Sequence, residues 1–196
     1  MPSVTTHSTQ HRPAVFLDRD GTIIEDRGDL SEPNQVVFLP GAIATLQALQ
    51  KHFVLFIVTN QSGVAKGLLT LEQVSTVNAH VVDCLSSAGV AIERVFVCPH
   101  ARTEGCDCIK PKPHFLRLAA SEHQIDLQHS YTVGDHPHDV DFARSVGATG
   151  IYVLTGHGMK HQGDIDPSYI VVPSLADALP WFRVQDCSIG VQTESR

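Results

Sequence analysis

The chain alternates short apolar runs with longer amphipathic segments. The apolar runs predict β-strands near 14–17, 53–58, 93–97, 130–133 and 150–154, with a short edge strand near 169–172. The amphipathic segments predict helices near 41–51, 70–87, 113–123, 137–146 and 174–182. This alternation predicts an α/β fold in which helices cover both faces of a doubly wound parallel sheet.

The length of 196 residues fits a single domain, which we place at 13–185 between a polar leader at 1–12 and a polar tail at 186–196. Between Gly21 and Val54 there is room for one loop and one helix, so we expect no cap domain over the site. The longest apolar runs have the length of strands, which argues against a membrane span. A net charge of −7 argues against nucleic acid as a partner. We expect a cytoplasmic monomer.

The first predicted strand delivers two carboxylates into a glycine turn, in the order Asp18, Arg19, Asp20, Gly21. Open α/β sheets bind ligands at the carboxyl ends of their strands. Two carboxylates this close repel each other unless a cation lies between them, and oxygen ligands favour Mg²⁺. Asp18 then has the chemistry of a nucleophile and Asp20 that of a general acid and base. The same residues also form ordinary turns.

Two further segments add groups that suit a phosphate. The second strand ends in Thr59, Asn60, Gln61 and Ser62, which supply uncharged donors for phosphate oxygens, although the hydroxyls also suit helix capping. Lysines follow in the segment 110–113, where the prolines restrict the backbone. Lys110 is the stronger candidate for binding a phosphoryl group. Lys112 is a second candidate, with surface charge as its alternative.

The fourth predicted strand ends in Gly134 and Asp135, and a helix follows Pro137. The position of Asp135 at the strand end predicts a metal ligand. Asp139 falls in the first helical turn, where its carboxylate also complements the helix dipole.

The segment before Lys110 contains three cysteines and one histidine at close spacing. Cys98, His100, Cys106 and Cys108 match the ligand set of a closed tetrahedral zinc site, which is typical of structural zinc. We expect this zinc to fix the loop that carries Lys110.

Taken in order, these motifs resemble those of the haloacid dehalogenase-like phosphatases. The match consists of Asp18 with Asp20, then Thr59, then Lys110, then Asp135 with Asp139. The Thr-Asn-Gln-Ser-Gly, Cys-Pro-His and Cys-Asp-Cys segments narrow the resemblance to one subgroup. That subgroup holds the D-glycero-D-manno-heptose 1,7-bisphosphate 7-phosphatases and the histidinol-phosphate phosphatases.

The resemblance implies hydrolysis of a small phosphorylated metabolite through an aspartyl-phosphate on Asp18, with Asp20 as acid and base. It implies Mg²⁺ held by Asp18, by the carbonyl of Asp20 and by Asp135, with Asp139 orienting Lys110 or a metal-bound water. Thr59 and Lys110 would stabilise the phosphoryl oxygens.

The resemblance also implies substrate contacts by Asn60, Gln61, Ser62 and Lys66. The subgroup commonly has arginine where this chain has Ile109, which removes a cation from the expected pocket. Heptose bisphosphate is the first substrate candidate, followed by histidinol phosphate and then by another sugar or polyol phosphate. A phosphotransferase and a zinc-stabilised binding module without catalysis are the alternatives to a phosphatase.

Overall fold

The computed structural model describes residues 11–183 and contains one sheet of six parallel strands in the order β3-β2-β1-β4-β5-β6. The strands are β1 (Ala14–Leu17), β2 (Val54–Asn60), β3 (Arg94–Cys98), β4 (Tyr131–Gly134), β5 (Thr149–Val153) and β6 (Ile170–Val172). The predicted parallel α/β architecture is therefore confirmed. The first strand lies at the centre, so the carboxyl ends of β1, β2 and β4 are neighbours.

The helices are α1 (Ala42–Leu49), α2 (Leu71–Ser87), α3 (His114–His123), α4 (Pro137–Arg144) and the short α5 (Gly158–His161), which was not predicted. The last predicted helix, at 174–182, is wrong in type. It is a 3₁₀ helix at Ala176–Trp181, and Pro180 lies inside it. Because proline has no backbone N–H and its ring crowds the preceding turn, it opposes a regular α-helix there.

Two apolar cores cover the two faces of the sheet. Val15 and Leu17 point into one core, and Ala14 and Phe16 point into the other. On the second face the ring of Phe16 stacks on Phe56 of β2, with the ring centroids 5.0 Å apart. Strands that are buried on both faces read as continuous apolar runs, which explains why the sequence shows them so clearly.

The domain begins slightly earlier than predicted. Arg12, which we assigned to the leader, forms a parallel bridge with Ile125, and its carbonyl accepts from the amide of Asp126. The remainder of the predicted leader and the tail at 186–196 lie outside the described residues. Between β1 and β2 the chain forms a loop, a 3₁₀ helix at Pro33–Gln35 and α1, with no inserted domain. Within residues 11–183 no helix combines the length and apolar character needed to cross a bilayer.

Candidate active site

A polar pocket of about 400 Å³ lies at the carboxyl ends of β1, β2 and β4. This volume lies in the range of small-molecule sites. The pocket brings together ten of the residues predicted from sequence, which are Asp18, Asp20, Thr59, Asn60, Gln61, Ser62, Lys66, Lys110, Asp135 and Asp139. They come from segments far apart in sequence, and the adjacent strand ends join them.

The ammonium of Lys110 is the central cation of the pocket. Its Nζ lies 2.5 Å from Asp18 Oδ1 and 2.5 Å from Asp139 Oδ1, and it also donates to the carbonyl of Val58 at 2.9 Å. These contacts use all three of its donors. Burial alone would lower the pKa of Lys110, but the charges of Asp139 and Asp18 outweigh it and raise that pKa above its ordinary value. Lys110 therefore stays protonated.

Asp18 lies directly after β1, and its backbone amide donates to the carbonyl of Val133 at 2.9 Å. Its side chain is 11% exposed. Burial raises the pKa of Asp18 well above its ordinary value, Lys110 opposes this, and the carboxylates of Asp139 and Asp135 add to it. The negative charge on Asp18 therefore depends on nearby cations.

The Asp135 carboxylate packs between two glycines. A Cβ added at Gly21 or at Gly156 would lie 2.1 Å from Asp135 Oδ2, and both glycines have positive φ, 78° and 53°. The amide of His157 donates to the same oxygen at 2.7 Å. Burial and the charge of Asp139 raise the pKa of Asp135 to about 7. Glycine is thus required at both positions by the backbone angle and by the space that Asp135 fills.

Asp20 accepts hydrogen bonds from two directions. Arg19 donates through Nε and NH2 at 3.0 to 3.2 Å, and Gln61 Nε2 donates to Oδ2 at 2.9 Å. Gln61 also donates to Thr59 Oγ1 at 2.8 Å. Gln61, which we predicted as a substrate contact, and Thr59, which we predicted to stabilise the phosphoryl oxygens, are thus part of the network that holds Asp20.

The charges of the inner pocket do not balance. Within residues 11–183, Asp18 and Asp139 form ion pairs with Lys110, Asp20 forms one with Arg19, and Asp135 forms none. These contacts leave two uncompensated negative charges when all six groups are ionised. Carboxylate oxygens and one divalent charge are what Mg²⁺ requires. The donor set of this pocket therefore fits Mg²⁺.

The predicted cysteine cluster is assembled in the structure. Cys98 Sγ lies 3.2 Å from Cys108 Sγ and 3.6 Å from Cys106 Sγ, and His100 Nδ1 lies 3.3 Å from Cys108 Sγ. Sulfur atoms bound to one tetrahedral zinc are about 3.8 Å apart, given Zn–S bonds of about 2.3 Å. Burial raises the pKa of the Cys98 and Cys108 thiols, so thiolates at these positions need a cation. The cluster thus fits zinc in both donor type and spacing.

Lys112 is the predicted substrate residue that the structure places elsewhere. Its Nζ donates to the carbonyls of Gly105 and Cys106 at 3.0 and 2.6 Å, and it does not line the pocket. The turn after Lys110 directs the side chain of Lys112 back onto the loop between Cys98 and Cys108. Ile109 also points away from the pocket, because its side chain is buried in the second core with Phe96 and Phe115.

Comparison with known proteins agrees with this geometry. A family model described as HAD-hydrolase-like matches residues 107–178. The D-glycero-beta-D-manno-heptose-1,7-bisphosphate 7-phosphatase of Yersinia pestis is 36% identical over 178 residues, covering 86% of this chain and 94% of that protein. The protein of the same name from Escherichia coli K12 is 37% identical over 176 residues, covering 84% and 91%. The chain belongs to the haloacid dehalogenase-like phosphatases.

A solved structure of the same family supports the fold. It is the D,D-heptose 1,7-bisphosphate phosphatase from B. bronchiseptica in complex with magnesium and phosphate. The two structures align with a TM-score of 0.78 at 29% identity, over 86% of this chain and 97% of that one.

In this chain, six further side chains line the pocket that were not predicted from the sequence. Asp26 and Asp29 come from the loop after β1, Arg102 comes from the loop between Cys98 and Cys108, and His136, His138 and His157 line the same pocket as Asp135. His136 and His138 could have been predicted from the sequence, because they follow Asp135 directly. Arg102 could not, because its neighbours are ordinary loop residues.

Arg19 was also missed, although it lies between the two motif aspartates. It is 1% exposed and donates from NH1 to Asn78 Oδ1 at 2.6 Å. The signal that could have revealed it is Asn78 itself, a polar residue on the buried face of α2.

Proposed function

We propose that this enzyme is a Mg²⁺-dependent phosphatase that releases the 7-phosphate of D-glycero-D-manno-heptose 1,7-bisphosphate through an aspartyl-phosphate on Asp18. The observation that carries the proposal is Asp18, held against Lys110 at the end of β1 and facing a polar pocket. The identity of 36% to a 7-phosphatase over nearly all of that relative's length supports the substrate.

In the proposed reaction Asp18 Oδ attacks phosphorus in line, and the bond between phosphorus and the sugar oxygen breaks. Asp20 donates a proton to the departing oxygen and later takes one from the water that hydrolyses the acyl phosphate. Lys110 keeps its charge next to Asp18 and Asp139, so it stabilises the phosphoryl oxygens without titrating. Thr59, Asn60 and Ser62 line the same wall and supply neutral donors.

Mg²⁺ would be held by the carboxylates of Asp18 and Asp135 and by the carbonyl of Asp20. When bound, it neutralises charge on the phosphoryl group and on the two carboxylates. The two uncompensated negative charges of the inner pocket and the magnesium in the B. bronchiseptica relative support this assignment. Asp139 then acts on Lys110, since its two oxygens are occupied by Lys110 Nζ and the amide of His136.

The far end of the substrate would meet the rim of the pocket. Lys66 and Arg102 line the rim and are the cations available for a second phosphate. Since Ile109 is buried in the core, we assign recognition of the second phosphate to these two side chains. Arginine is suited to bidentate contact with a phosphate, and Lys66 adds a point charge.

Zn²⁺ would be held by Cys98, His100, Cys106 and Cys108 in a structural role. All four positions of a tetrahedral site are filled by protein, so none is open for catalysis. Only Ile109 separates Cys108 from Lys110, and the amide of Lys110 is 3.4 Å from Asn60 Oδ1. The zinc would therefore fix the backbone from which Lys110 reaches Asp18.

A second candidate substrate is histidinol phosphate. The rim also carries the carboxylates of Asp26 and Asp29, which would attract the cationic end of such a substrate. A rim with charges of both signs is compatible with either molecule.

The experiment is phosphate release with Mg²⁺ from a panel containing both anomers of heptose 1,7-bisphosphate, histidinol phosphate, fructose 1,6-bisphosphate and simple sugar monophosphates. The proposal predicts the highest kcat/KM for one heptose bisphosphate anomer. A preference for histidinol phosphate would establish the second candidate. Low and equal turnover of every ester would contradict both substrates.

A further inference from the structure

Arg19 is a large side chain that is fully buried, with 1% exposure. Its guanidinium contacts Asp20 through Nε and NH2 and contacts Asn78 through NH1, at 2.6 Å. A buried guanidinium is tolerated only where its donors are satisfied. Asp20 and Asn78 together supply these acceptors, so the position of Arg19 depends on both.

Asn78 is an unusual residue for its place in the fold. It lies in the middle of α2, on the buried face that also carries Val74, Val77 and Val81. Asparagine is a poor residue for a helix interior, and an apolar face favours an aliphatic side chain there. Within residues 11–183 its side-chain oxygen has one hydrogen bond, the bond from Arg19. The contact with Arg19 explains the polar residue.

The chain of contacts therefore runs from α2 to the pocket, from Asn78 through Arg19 to Asp20. Asp20 is also fixed from the opposite side by Gln61 Nε2 at 2.9 Å. Donors on both sides leave the carboxylate little rotational freedom. Proton transfer depends on such alignment, since a displacement of about 1 Å can reduce a rate roughly 100-fold.

We propose that Arg19 and Asn78 are positioning residues that align the Asp20 carboxyl with the oxygen of the leaving group. The proposal rests on the assignment of Asp20 as general acid under the proposed function. Neither residue lines the pocket. Arg19 holds the carboxyl through two donor nitrogens, and Asn78 fixes the guanidinium so that the pair keeps one orientation.

The dependence of the rate on the leaving group distinguishes a positioning role of Arg19 and Asn78 from a purely structural role. A sugar alkoxide needs a proton as it departs, whereas the nitrophenolate of p-nitrophenyl phosphate departs without one. Misalignment of Asp20 should therefore reduce kcat/KM for an alkyl phosphate and leave kcat/KM for the aryl phosphate nearly unchanged. We compare kcat/KM because it reports on phosphoryl transfer to Asp18, whereas the later hydrolysis step, in which Asp20 also acts, is common to both esters. A loss of general packing would reduce both.

The test compares p-nitrophenyl phosphate with the best alkyl phosphate of the substrate panel, each with Mg²⁺. Asn78→Leu removes the acceptor while keeping similar volume on the apolar face. We expect kcat/KM to fall by roughly tenfold or more for the alkyl ester and by less than about twofold for the aryl ester. Asn78→Asp keeps an acceptor, so the ratio of kcat/KM for the alkyl ester to kcat/KM for the aryl ester should stay at its wild-type value. Equal effects of Asn78→Leu on the two esters, or none on either, would overturn the proposal.

Two further variants keep the test decisive. Arg19→Lys retains the charge but cannot reach both Asp20 and Asn78 with the same geometry. It should therefore lower the ratio of the alkyl to the aryl rate, as Asn78→Leu does. This variant tests the proposal even if Asn78→Leu does not fold. Val74→Ala removes apolar volume from the same face of α2 but keeps Asp20 and Asn78, the hydrogen-bond partners of Arg19, so it should leave the ratio of the two kcat/KM values unchanged.

Asp20→Asn separates this inference from the proposed function. If Asp20→Asn fails to lower the alkyl rate selectively, the role of Asp20 as general acid is wrong. If it does so while Asn78→Leu and Arg19→Lys keep the wild-type ratio, only the positioning role is wrong.

Discussion

Asp139 holds the ammonium of Lys110 at 2.5 Å, although 29 positions separate the two residues in the chain. The contact is buried, with 5% exposure of each side chain. The amide of His136 donates to the other oxygen of Asp139 at 3.0 Å. Asp139 therefore caps the first turn of α4 and fixes the cation that faces Asp18.

Replacing this carboxylate should impair catalysis more than folding. In Asp139→Asn, Lys110 keeps Asp18 as a partner but loses one of two charges that orient it. We expect kcat/KM to fall by roughly 10- to 100-fold, about 1.4 to 2.7 kcal/mol of transition-state stabilisation. Steady-state kinetics on the preferred substrate measures this. Asp141→Asn, an exposed position of the same helix, is the control and should keep wild-type kinetics.

Asp18→Asn tests the nucleophile. The amide cannot form an aspartyl-phosphate, so we expect activity to fall by about four orders of magnitude or more, in line with the loss of a covalent nucleophile. The variant should stay folded, because Asp139 still pairs with Lys110. Circular dichroism and turnover are the measurements. Turnover within about tenfold of wild type in a folded Asp18→Asn variant would show that another group attacks phosphorus.

Cys106→Ser tests the zinc assignment. Loss of one of four ligands should remove stoichiometric zinc from the purified protein, lower Tm and reduce activity through the loop that carries Lys110. Metal analysis and thermal unfolding measure the first two effects. Cys84→Ser, in α2 and outside the cluster, is the matched control and should retain zinc. Unchanged metal content and Tm in Cys106→Ser would contradict a structural zinc at this cluster.

Arg102→Ala tests recognition of the second phosphate. A charge-assisted hydrogen bond contributes about 1.5 to 3 kcal/mol, so we expect KM for heptose 1,7-bisphosphate to rise roughly tenfold or more. KM for heptose 7-phosphate, which lacks the second phosphate, should change less than about twofold. Lys112→Ala removes a cation that lies outside the pocket and should alter neither value. Equal increases of KM for both substrates would argue against a phosphate contact by Arg102.

Asp126 supports a pH-dependent contribution to stability. Partial burial acts in the opposite direction, but hydrogen bonds from His129 and its backbone lower the pKa of Asp126 below the ordinary 3.8. A lowered carboxyl pKa stabilises the folded state above the unfolded-state pKa, and this contribution is lost as pH falls through the folded-state pKa.

The charge of Asp126 sets the expected size of the effect. Asp126 accepts from the amides of Gln128 and His129, and asparagine can also cap these amides, so Asp126→Asn removes the charge and should lower the free energy of unfolding by about 0.3 to 1 kcal/mol at about pH 7. The difference should shrink below about pH 4. Urea unfolding at both pH values measures it, with the exposed Asp83→Asn as control. A difference that is constant across this range would show that the charge of Asp126 does not contribute.

The sequence alone was enough to predict the sheet, because strands buried on both faces are apolar throughout and stand out from the helices between them. It also predicted Asp18, Thr59, Lys110 and Asp135, since each follows a strand or a proline-restricted turn that fixes where its side chain emerges. The cysteine cluster was predictable for a similar reason, because its ligands are close in the chain.

Only the tertiary structure could decide contacts between side chains from distant segments. The pair of Arg19 with Asn78 joins residues 59 positions apart, and the rim position of Arg102 depends on how a loop folds over the sheet. Lys112 is the opposite case, a residue predicted for the site that lies outside it. Its charge suits a phosphate, but the turn after Lys110 directs its side chain away from the pocket. The alternation of side chains along a strand determines the face of the sheet to which each one points. The paths of loops and the partners of side chains depend on the packing of the whole domain.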